Sequence, residues 1–332
     1  MKYRLNDSGL QILEIEVTNR CNLNCKHCYV KRTPHVDLPQ TLVKKIIEES
    51  NNLGVNRLTF TGGEPLLYSG LIELAQYAKQ LGIPELALLT NGLLINESKV
   101  DSLKVFDMIQ LSIDVPPKKN PVMRAGYSDT LEKKLDLLKS HDINVMLFAT
   151  ISKKVLPLIE DLVEFAKEKE VPIGFNRLIP ILPALKSEAL TPLELKEALT
   201  RVSKSGAKAD VRCSDPLFFL VDEKRMAYLN LMDKPGIRGG CTAGIATIYI
   251  TAFGKVYPCP FLQIEAGDVK EQSLEEIWYK SPILNSLRDR SNITGKCGKC
   301  KYLEYCGGCR AEGFINTGSL FESDESCFLN YL

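Results

Sequence analysis

The chain has 332 residues, of which 45% are hydrophobic and 25% are charged, as expected for a globular protein with a sizeable core. Its 42 Lys and Arg residues against 41 Asp and Glu give a formal net charge of +1, which does not favour nucleic acid or an anionic membrane as the main partner. We find no spanning apolar run and no signal-peptide core in the sequence, so we expect a cytoplasmic protein.

The first half alternates short apolar runs with amphipathic stretches. The pattern predicts strands at 11–18, 57–60, 85–90, 108–113, 144–151 and 173–179, and helices at 38–54, 71–82, 96–104, 129–140 and 156–169. Such alternation is typical of a parallel sheet covered by helices. Six units are fewer than a closed barrel requires, so we expect an α/β fold, a partial (β/α)6 barrel, with its chemistry beyond the C-terminal ends of the strands.

The second part of the chain has a different pattern. Residues 191–206 predict a bridging helix, and residues 246–261 predict a hairpin with its turn near Phe253 and Gly254. The cysteine-rich loops around the hairpin have little periodicity, which indicates a small domain that depends on metal to fold. The expected organisation is a barrel, a bridging segment and a cysteine-rich domain, at 1–185, 186–240 and 241–332.

The eleven cysteines are clustered: three lie at 21–28, one at 213 and seven at 241–327. Thiols stay reduced in the cytosol, so clustered cysteines indicate metal binding rather than a disulfide framework. The first group, in "TNRCNLNCKHCYVKR", has the spacing C-x3-C-x2-C and follows the first predicted strand. Three thiolates can hold a [4Fe–4S] cluster and leave one iron open for substrate or cofactor, although this motif alone is also compatible with zinc or redox chemistry.

With His27 before its third cysteine, this motif resembles that of the radical S-adenosylmethionine (SAM) superfamily. The resemblance implies that Cys21, Cys25 and Cys28 are catalytic cluster ligands and that SAM chelates the open iron. It further implies reductive cleavage of SAM to a 5′-deoxyadenosyl radical, which removes hydrogen from an unactivated carbon. The electron would come from an external low-potential donor of the flavodoxin or ferredoxin type.

Further motifs lie at the ends of predicted strands: "TGGEP" (61–65) follows the second, "TNG" (90–92) ends the third, "SID" (112–114) ends the fourth and "NRLIP" (176–180) closes the sixth. The fourth motif in chain order, "PVMRAGY" (121–127), lies beyond the fourth strand. Each is also compatible with a plain structural turn. Together they resemble the family's SAM-binding motifs, although the "HD" pair that often precedes the Arg of the fourth motif is absent. The resemblance implies that SAM contacts Gly62, Gly63, Glu64, Asn91, Ser112, Asp114, Arg124 and Arg177. In this interpretation the two glycines allow close approach of the methionine end, and the glutamate receives its ammonium group.

The C-terminal cysteines closely resemble the SPASM extension, which binds two auxiliary iron–sulfur clusters, likewise expected to be [4Fe–4S], in related enzymes. The resemblance implies an outer cluster held by Cys297, Cys300, Cys306 and Cys327, and an inner cluster held by Cys241, Cys259 and Cys309. The two C-x2-C pairs are also typical of zinc, but five residues between them are few for a zinc ribbon.

Seven cysteines are one short of two complete four-cysteine sites. Cys213 is a candidate for the eighth ligand; the alternatives are an open iron and a buried apolar thiol at Cys213. Similar SPASM proteins include peptide-cofactor maturases and tetrapyrrole enzymes of alternative haem pathways. We therefore expect a radical enzyme that modifies a peptide or protein side chain; the alternatives are removal of tetrapyrrole side-chain groups and a non-catalytic metal or electron-transfer module.

Overall fold

A computed structural model describes residues 9–117, 123–124, 130–230 and 240–331. In this part of the chain ten strands form one sheet: β1 (Ile12–Thr18), β2 (Arg57–Gly62), β3 (Glu85–Thr90), β4 (Met108–Ile113), β5 (Val145–Ile151), β6 (Ile173–Arg177), β7 (Val211–Cys213), β8 (Thr247–Ile250), β9 (Lys255–Tyr257) and β10 (Gly267–Asp268). Their order across the sheet is β10-β9-β8-β1-β2-β3-β4-β5-β6-β7. All neighbours from β8 to β7 are parallel, whereas β9 and β10 are antiparallel.

The helices follow the strands as expected for β/α units. They are α1 (Gln40–Asn52), α2 (Leu71–Gln80), α3 (Glu97–Val100), α4 (Leu131–Ser140), α5 (Ile159–Glu168), α6 (Pro192–Ser205), α7 (Glu223–Asn230), α8 (Leu274–Lys280), α9 (Pro282–Arg288), α10 (Gly295–Gly298) and α11 (Arg310–Thr317). The predicted bridging helix is α6, which begins at a capping box formed by Thr191 and Glu194. The predicted helix at 96–104 is only α3 followed by a 3-10 turn over Asp101–Val105.

Alternate residues of the strands have different environments. Leu13 and Ile15 of β1 are fully buried and belong to the same core cluster as Val43 and Ile46 of α1. The other face of the sheet therefore lines the interior of the partial barrel. The strand register places on this inward face Glu14, Glu16, Thr59, Thr61, Leu89, Gln110, Ser112, Phe148, Thr150, Asn176 and Tyr249.

The cysteine-rich segment shares the sheet with the barrel. Strand β8 pairs directly with β1, and the predicted hairpin turns at Gly254, whose φ of +84° suits glycine. A second core cluster packs Ile179, just after β6, with Leu262, Leu287 and Cys309. The two parts are thus joined by backbone pairing and by apolar packing. Over the ranges given above, the helices are too short or too polar to cross a membrane.

Candidate metal centres and cofactor site

The loop after β1 brings the first three cysteines together. Cys21, Cys25 and Cys28 are free and half-buried. Burial raises the pKa of both Cys21 and Cys25, and each of these thiols also senses the charge of the next cysteine in the series. Thiols with raised pKa bind metal only after losing a proton, which the charge of an iron–sulfur cluster would favour. Cys21 is thus electrostatically connected to Cys25, and Cys25 to Cys28, on the loop at the C-terminal end of β1.

Arg32 is a residue of this loop that the motif comparison missed. Its Nη1 donates to the carbonyl of Leu23, and its guanidinium also hydrogen-bonds the Cys28 thiol. Burial lowers the pKa of Arg32, but the three cysteines outweigh this effect and raise it. Arg32 thus provides a fixed positive charge beside the three cysteines. Its only sequence signal is its position four residues after the third cysteine.

The two glycines of "TGGEP" hold this loop against β2. A Cβ on Gly62 would lie 2.4 Å from the carbonyl oxygen of Thr18, and one on Gly63 would lie 2.2 Å from that of Arg20. Gly63 N donates to Thr18 O at 2.7 Å, and Glu64 N donates to Arg20 O at 2.7 Å. The close approach that requires glycine is therefore between two backbone segments of this chain, in addition to any approach by SAM.

Glu64 is fully buried, and its carboxylate has three donors within the protein. Oε1 accepts from Thr90 Oγ1 at 2.7 Å and from Leu66 N at 3.1 Å, and Oε2 accepts from Asn91 N at 2.9 Å. Burial raises the pKa of Glu64 although these hydrogen bonds lower it. In this arrangement the carboxylate holds the end of β3 against the "TGGEP" loop.

Asn91 lies next to the cysteine loop. Its Nδ2 donates to Asn22 Oδ1 at 2.8 Å and lies 4.0 Å from Cys21 Sγ. Its Oδ1 accepts from Leu93 N at 3.0 Å, and the following Gly92 has a φ of +78°. The "TNG" turn is therefore both a tight turn with positive φ and a neighbour of the first cysteine. Ser112 faces the same barrel interior from β4.

Buried polar atoms near the cysteine loop have no partner among the described residues. Asp114 is 2% exposed; its Oδ2 accepts from Met123 N at 2.7 Å and Arg124 N at 3.1 Å, while its Oδ1 has no donor there. Arg124 Nε and His27 Nδ1 are likewise without a described partner. Burial and the charge of Arg124 lower the pKa of His27 to about 3, so this imidazole is neutral. Unsatisfied groups of both donor and acceptor type fit a zwitterionic cofactor such as SAM.

Arg177 has a different environment from the one its motif implies. It shares the outward face of β6 with Phe175, and its guanidinium is ion-paired with Asp215 and Asp324. The preceding residue, Asn176, faces the barrel interior, and its buried Oδ1 has no partner within the described ranges. Side chains alternate along a strand, so Asn176 is better placed than Arg177 for contact with a cofactor in the barrel.

The four cysteines of the implied outer cluster line one cavity in the C-terminal part. They are Cys297, Cys300, Cys306 and Cys327, and the remaining walls are mainly apolar. Burial raises the pKa of Cys306 to about 12 and that of Cys327 to about 11. Gly308 N donates to Cys306 Sγ at 3.3 Å, and such N–H donors stabilise a thiolate ligand. This donor set and its cavity fit an iron–sulfur cluster.

The three cysteines of the implied inner cluster, Cys241, Cys259 and Cys309, also interact electrostatically. The charge of Cys241 acts on both Cys259 and Cys309, although burial is the main reason that their pKa values are raised, for Cys259 to about 12. Over the described residues, no three His, Cys, Asp or Glu side chains are arranged to hold one metal ion.

Cys213 is 5% exposed at the end of β7 and belongs to the main apolar core. Burial raises the pKa of Cys213, and the charges that modify this effect come from Asp215, Arg225 and Arg177. The structure therefore places this thiol in the apolar core beside an ion-pair network.

Comparisons with known proteins agree with this geometry. The model of the radical SAM superfamily matches residues 15–166, and that of the SPASM iron–sulfur cluster-binding domain matches residues 241–310. An AdoMet-dependent heme synthase of Methanosarcina barkeri is 29% identical over 96% of each chain. A PqqA peptide cyclase of Gluconobacter oxydans is 27% identical over 95% of this chain and 89% of its own.

The crystal structure of Streptococcus suis SuiB bound to precursor peptide SuiA has the same fold. Its TM-score is 0.78 at 22% identity, and the match covers 97% of this chain and 76% of SuiB. The expected partial barrel with a cysteine-rich C-terminal domain is confirmed. Residues 15–166 thus form a radical SAM domain, and residues 241–310 form a SPASM domain.

Proposed function

We propose that this enzyme binds a [4Fe–4S] cluster through Cys21, Cys25 and Cys28 and uses it to cleave SAM reductively. When bound, the cluster and SAM supply a carbon-centred radical able to abstract hydrogen from an unactivated carbon. The observation that carries the proposal is the placement of three half-buried cysteines on the loop at the C-terminal end of β1, together with buried polar groups that have no described partner. An external flavodoxin- or ferredoxin-type donor would supply the electron.

The residues around this site have separate roles in the proposal. Gly63 and Glu64 position the cysteine loop through backbone contacts, and Asp114, Arg124 and Asn176 offer polar atoms to SAM. The SPASM cysteines would hold two auxiliary clusters, Cys297, Cys300, Cys306 and Cys327 one of them, and Cys241, Cys259 and Cys309 the other.

The charge of the barrel interior supports a peptide or protein side chain as substrate. The inward-facing set includes Glu14 and Glu16. Among the described strand residues, the inward cations are Arg57, Arg212 and Lys255. Arg57 pairs with Glu85 at 2.8 Å, Arg212 with Asp210 at 3.1 Å, and Lys255 with Glu265 at 2.8 Å. An interior with acidic side chains and neutralised cations suits a basic or neutral substrate group better than a polycarboxylate.

A tetrapyrrole is the second candidate substrate. It is favoured by the end-to-end match with the AdoMet-dependent heme synthase of Methanosarcina barkeri, whose length this chain covers to 96%. A tetrapyrrole with several carboxylate side chains would need cations outside the described strands. The matches with SuiB and with the PqqA peptide cyclase favour the peptide candidate instead.

Anaerobic reconstitution tests the chemistry. The wild-type protein should bind about 11–12 irons per chain, three cubes of four, and release 5′-deoxyadenosine only with a reductant. The triple variant Cys21→Ala, Cys25→Ala, Cys28→Ala should retain auxiliary iron and lose this release, while Cys213→Ala is the matched control and should keep both. SAM cleavage by the triple variant, or zinc in these sites, would overturn the proposal.

A stimulation assay separates the two substrates. At pH 8, where Glu16 with its pKa of about 7 is ionised, short peptides rich in Lys and Arg should increase the release of 5′-deoxyadenosine, and Glu16→Gln should weaken that increase. An iron porphyrin with propionate side chains should leave the release unchanged. If the porphyrin stimulates release and is itself altered by mass, the tetrapyrrole candidate replaces the peptide candidate.

A further inference from the structure

A buried ion-pair network joins the barrel to the SPASM domain. Arg177, at the end of β6, is 4% exposed, and its Nε lies 2.6 Å from Asp215 Oδ2. Its Nη2 lies 3.2 Å from Asp215 Oδ1 and 3.2 Å from Asp324 Oδ2. Asp215 follows β7 and Asp324 lies in the C-terminal segment, so one guanidinium connects three separate parts of the chain. A buried network of this kind is costly unless every charge has a partner.

The same network contacts the backbone of cluster ligands. Asp324 Oδ2 also accepts from Cys309 N at 2.9 Å, and its Oδ1 accepts from Ser326 N at 3.1 Å. The Ser326 hydroxyl hydrogen-bonds both Arg177 and Asp324. Cys327 follows directly in sequence. Arg177 and Asp324 are therefore one or two contacts away from a ligand of each implied auxiliary cluster.

The two charged groups act on Cys309 with opposite signs. Burial disfavours the charge of Arg177, but Asp215 and Asp324 outweigh it and hold its pKa well above the ordinary value. Burial likewise opposes ionisation of Asp324, but Arg177 and the donors Ser326 and Cys309 N hold its pKa below the ordinary value. Both groups lie close to Cys309, because Asp324 Oδ2 accepts from Cys309 N at 2.9 Å and Arg177 Nη2 lies 3.2 Å from the same oxygen. Screening by water is weak at such depth.

We propose that Arg177 and Asp324 are positioning residues that set the reduction potential of the auxiliary cluster held by Cys241, Cys259 and Cys309. This inference rests on the proposed function, because it requires that cluster to be present. One-electron reduction adds a negative charge to the cluster, so the guanidinium favours reduction and the carboxylate opposes it. Arg177 would thus act on an auxiliary cluster rather than on SAM.

The test is a redox titration of the reconstituted full chain, in which dithionite supplies the electron and electron paramagnetic resonance reports the reduced clusters. The triple Cys21, Cys25, Cys28 to Ala background leaves only the auxiliary signals. Asp324→Asn should raise the potential of one auxiliary cluster, and Arg177→Gln should lower it. Each change should be about tenfold in the reduction equilibrium, which is ~59 mV for one electron.

Two matched variants separate charge from packing. Arg177→Lys keeps the positive charge and should stay near the parent potential, although the forked contacts are lost. Asp215→Asn removes a carboxylate from the same guanidinium without touching Cys309 N, so its shift should be smaller than that of Asp324→Asn. If Arg177→Gln does not take up iron, the comparison of Asp324→Asn with Asp215→Asn decides the question.

Shifts of the same sign in Asp324→Asn and Arg177→Gln, or equal shifts in Asp324→Asn and Asp215→Asn, would overturn the inference. Unchanged potentials in protein with full auxiliary iron would overturn it as well, while leaving the proposed function intact. A wild-type protein that binds only four irons would instead refute the auxiliary clusters themselves.

Discussion

Replacement of Glu16 by glutamine is expected to stabilise the protein increasingly as the pH rises. Glu16 is 2% exposed on the inward face of β1, where the Tyr249 hydroxyl donates to its Oε2. Burial raises its pKa from 4.5 to about 7, although the hydrogen bonds from Tyr249 and from the backbone of Ala252 lower it. The folded protein therefore favours the neutral acid, and glutamine is a neutral side chain of nearly the same shape.

The sign and size follow from linkage between folding and protonation. Below pH 4.5 the glutamate is protonated in both states and its raised folded pKa costs nothing. Between pH 4.5 and about 7 the unfolded chain loses the proton first, so stability falls as the pH rises. Above that range the loss levels off at about 3 kcal/mol, from 1.36 kcal/mol per pH unit. The advantage of Glu16→Gln should be about 1 kcal/mol at pH 5.5 and about 3 kcal/mol at pH 8.

Guanidinium unfolding under anaerobic conditions at pH 5.5 and pH 8 measures this difference. Glu275→Gln is the matched control, because it removes the same charge from a side chain that is exposed to solvent on α8. The control should differ from wild type by the same small amount at both pH values. An advantage of Glu16→Gln that stays constant between pH 5.5 and pH 8 would refute the assignment of a raised pKa.

Three further substitutions test the fold and the site. Gly63→Ala should destabilise the protein by about 3 kcal/mol or more and lower its iron content, because its Cβ would lie 2.2 Å from a backbone oxygen. Chemical unfolding and iron analysis measure these effects, and a tolerated Ala would contradict the backbone contact. Cys213→Ala should keep the iron content of wild type, whereas Cys259→Ala should lose iron; a loss in the former would make Cys213 a ligand. Thr191→Ala should cost about 1 kcal/mol by removing the cap of α6, measured by thermal unfolding, and an unchanged Tm would rule the cap out as a source of stability.

The strands of the barrel were predictable because each is a short apolar run between turn residues. The intervals 85–90 and 108–113 match β3 and β4 as the structure has them. Strands β7 and β8 could not be assigned to the sheet in the same way. Strand β7 has three residues, and β8 pairs with β1, more than two hundred residues earlier in the chain. Local periodicity carries no information on such distant pairing.

In the candidate site, too, local motifs were predictable from the sequence and distant contacts were not. The cysteines and "TGGEP" were recognised from local spacing, but the partners of Glu64 lie 26 and 27 residues later, at Thr90 and Asn91. The position of Arg177 could have been inferred from the period of two in β6, since Phe175 is a core residue. Its carboxylate partners could not, because Asp324 lies 147 residues away in sequence.

In the proposed function, binding of SAM and construction of its site depend on different residues. Gly63 has no side chain and lets the loops after β1 and β2 approach closely. The Glu64 carboxylate accepts hydrogen bonds from the loop after β3. Groups already saturated in this way gain little from a ligand, because each new hydrogen bond would replace an existing one. Asp114, Arg124 and Asn176 each keep a buried atom without a partner among the described residues, so a ligand would remove a cost that the folded protein otherwise bears. Affinity for SAM should therefore depend more on these three side chains than on the motif that identifies the family.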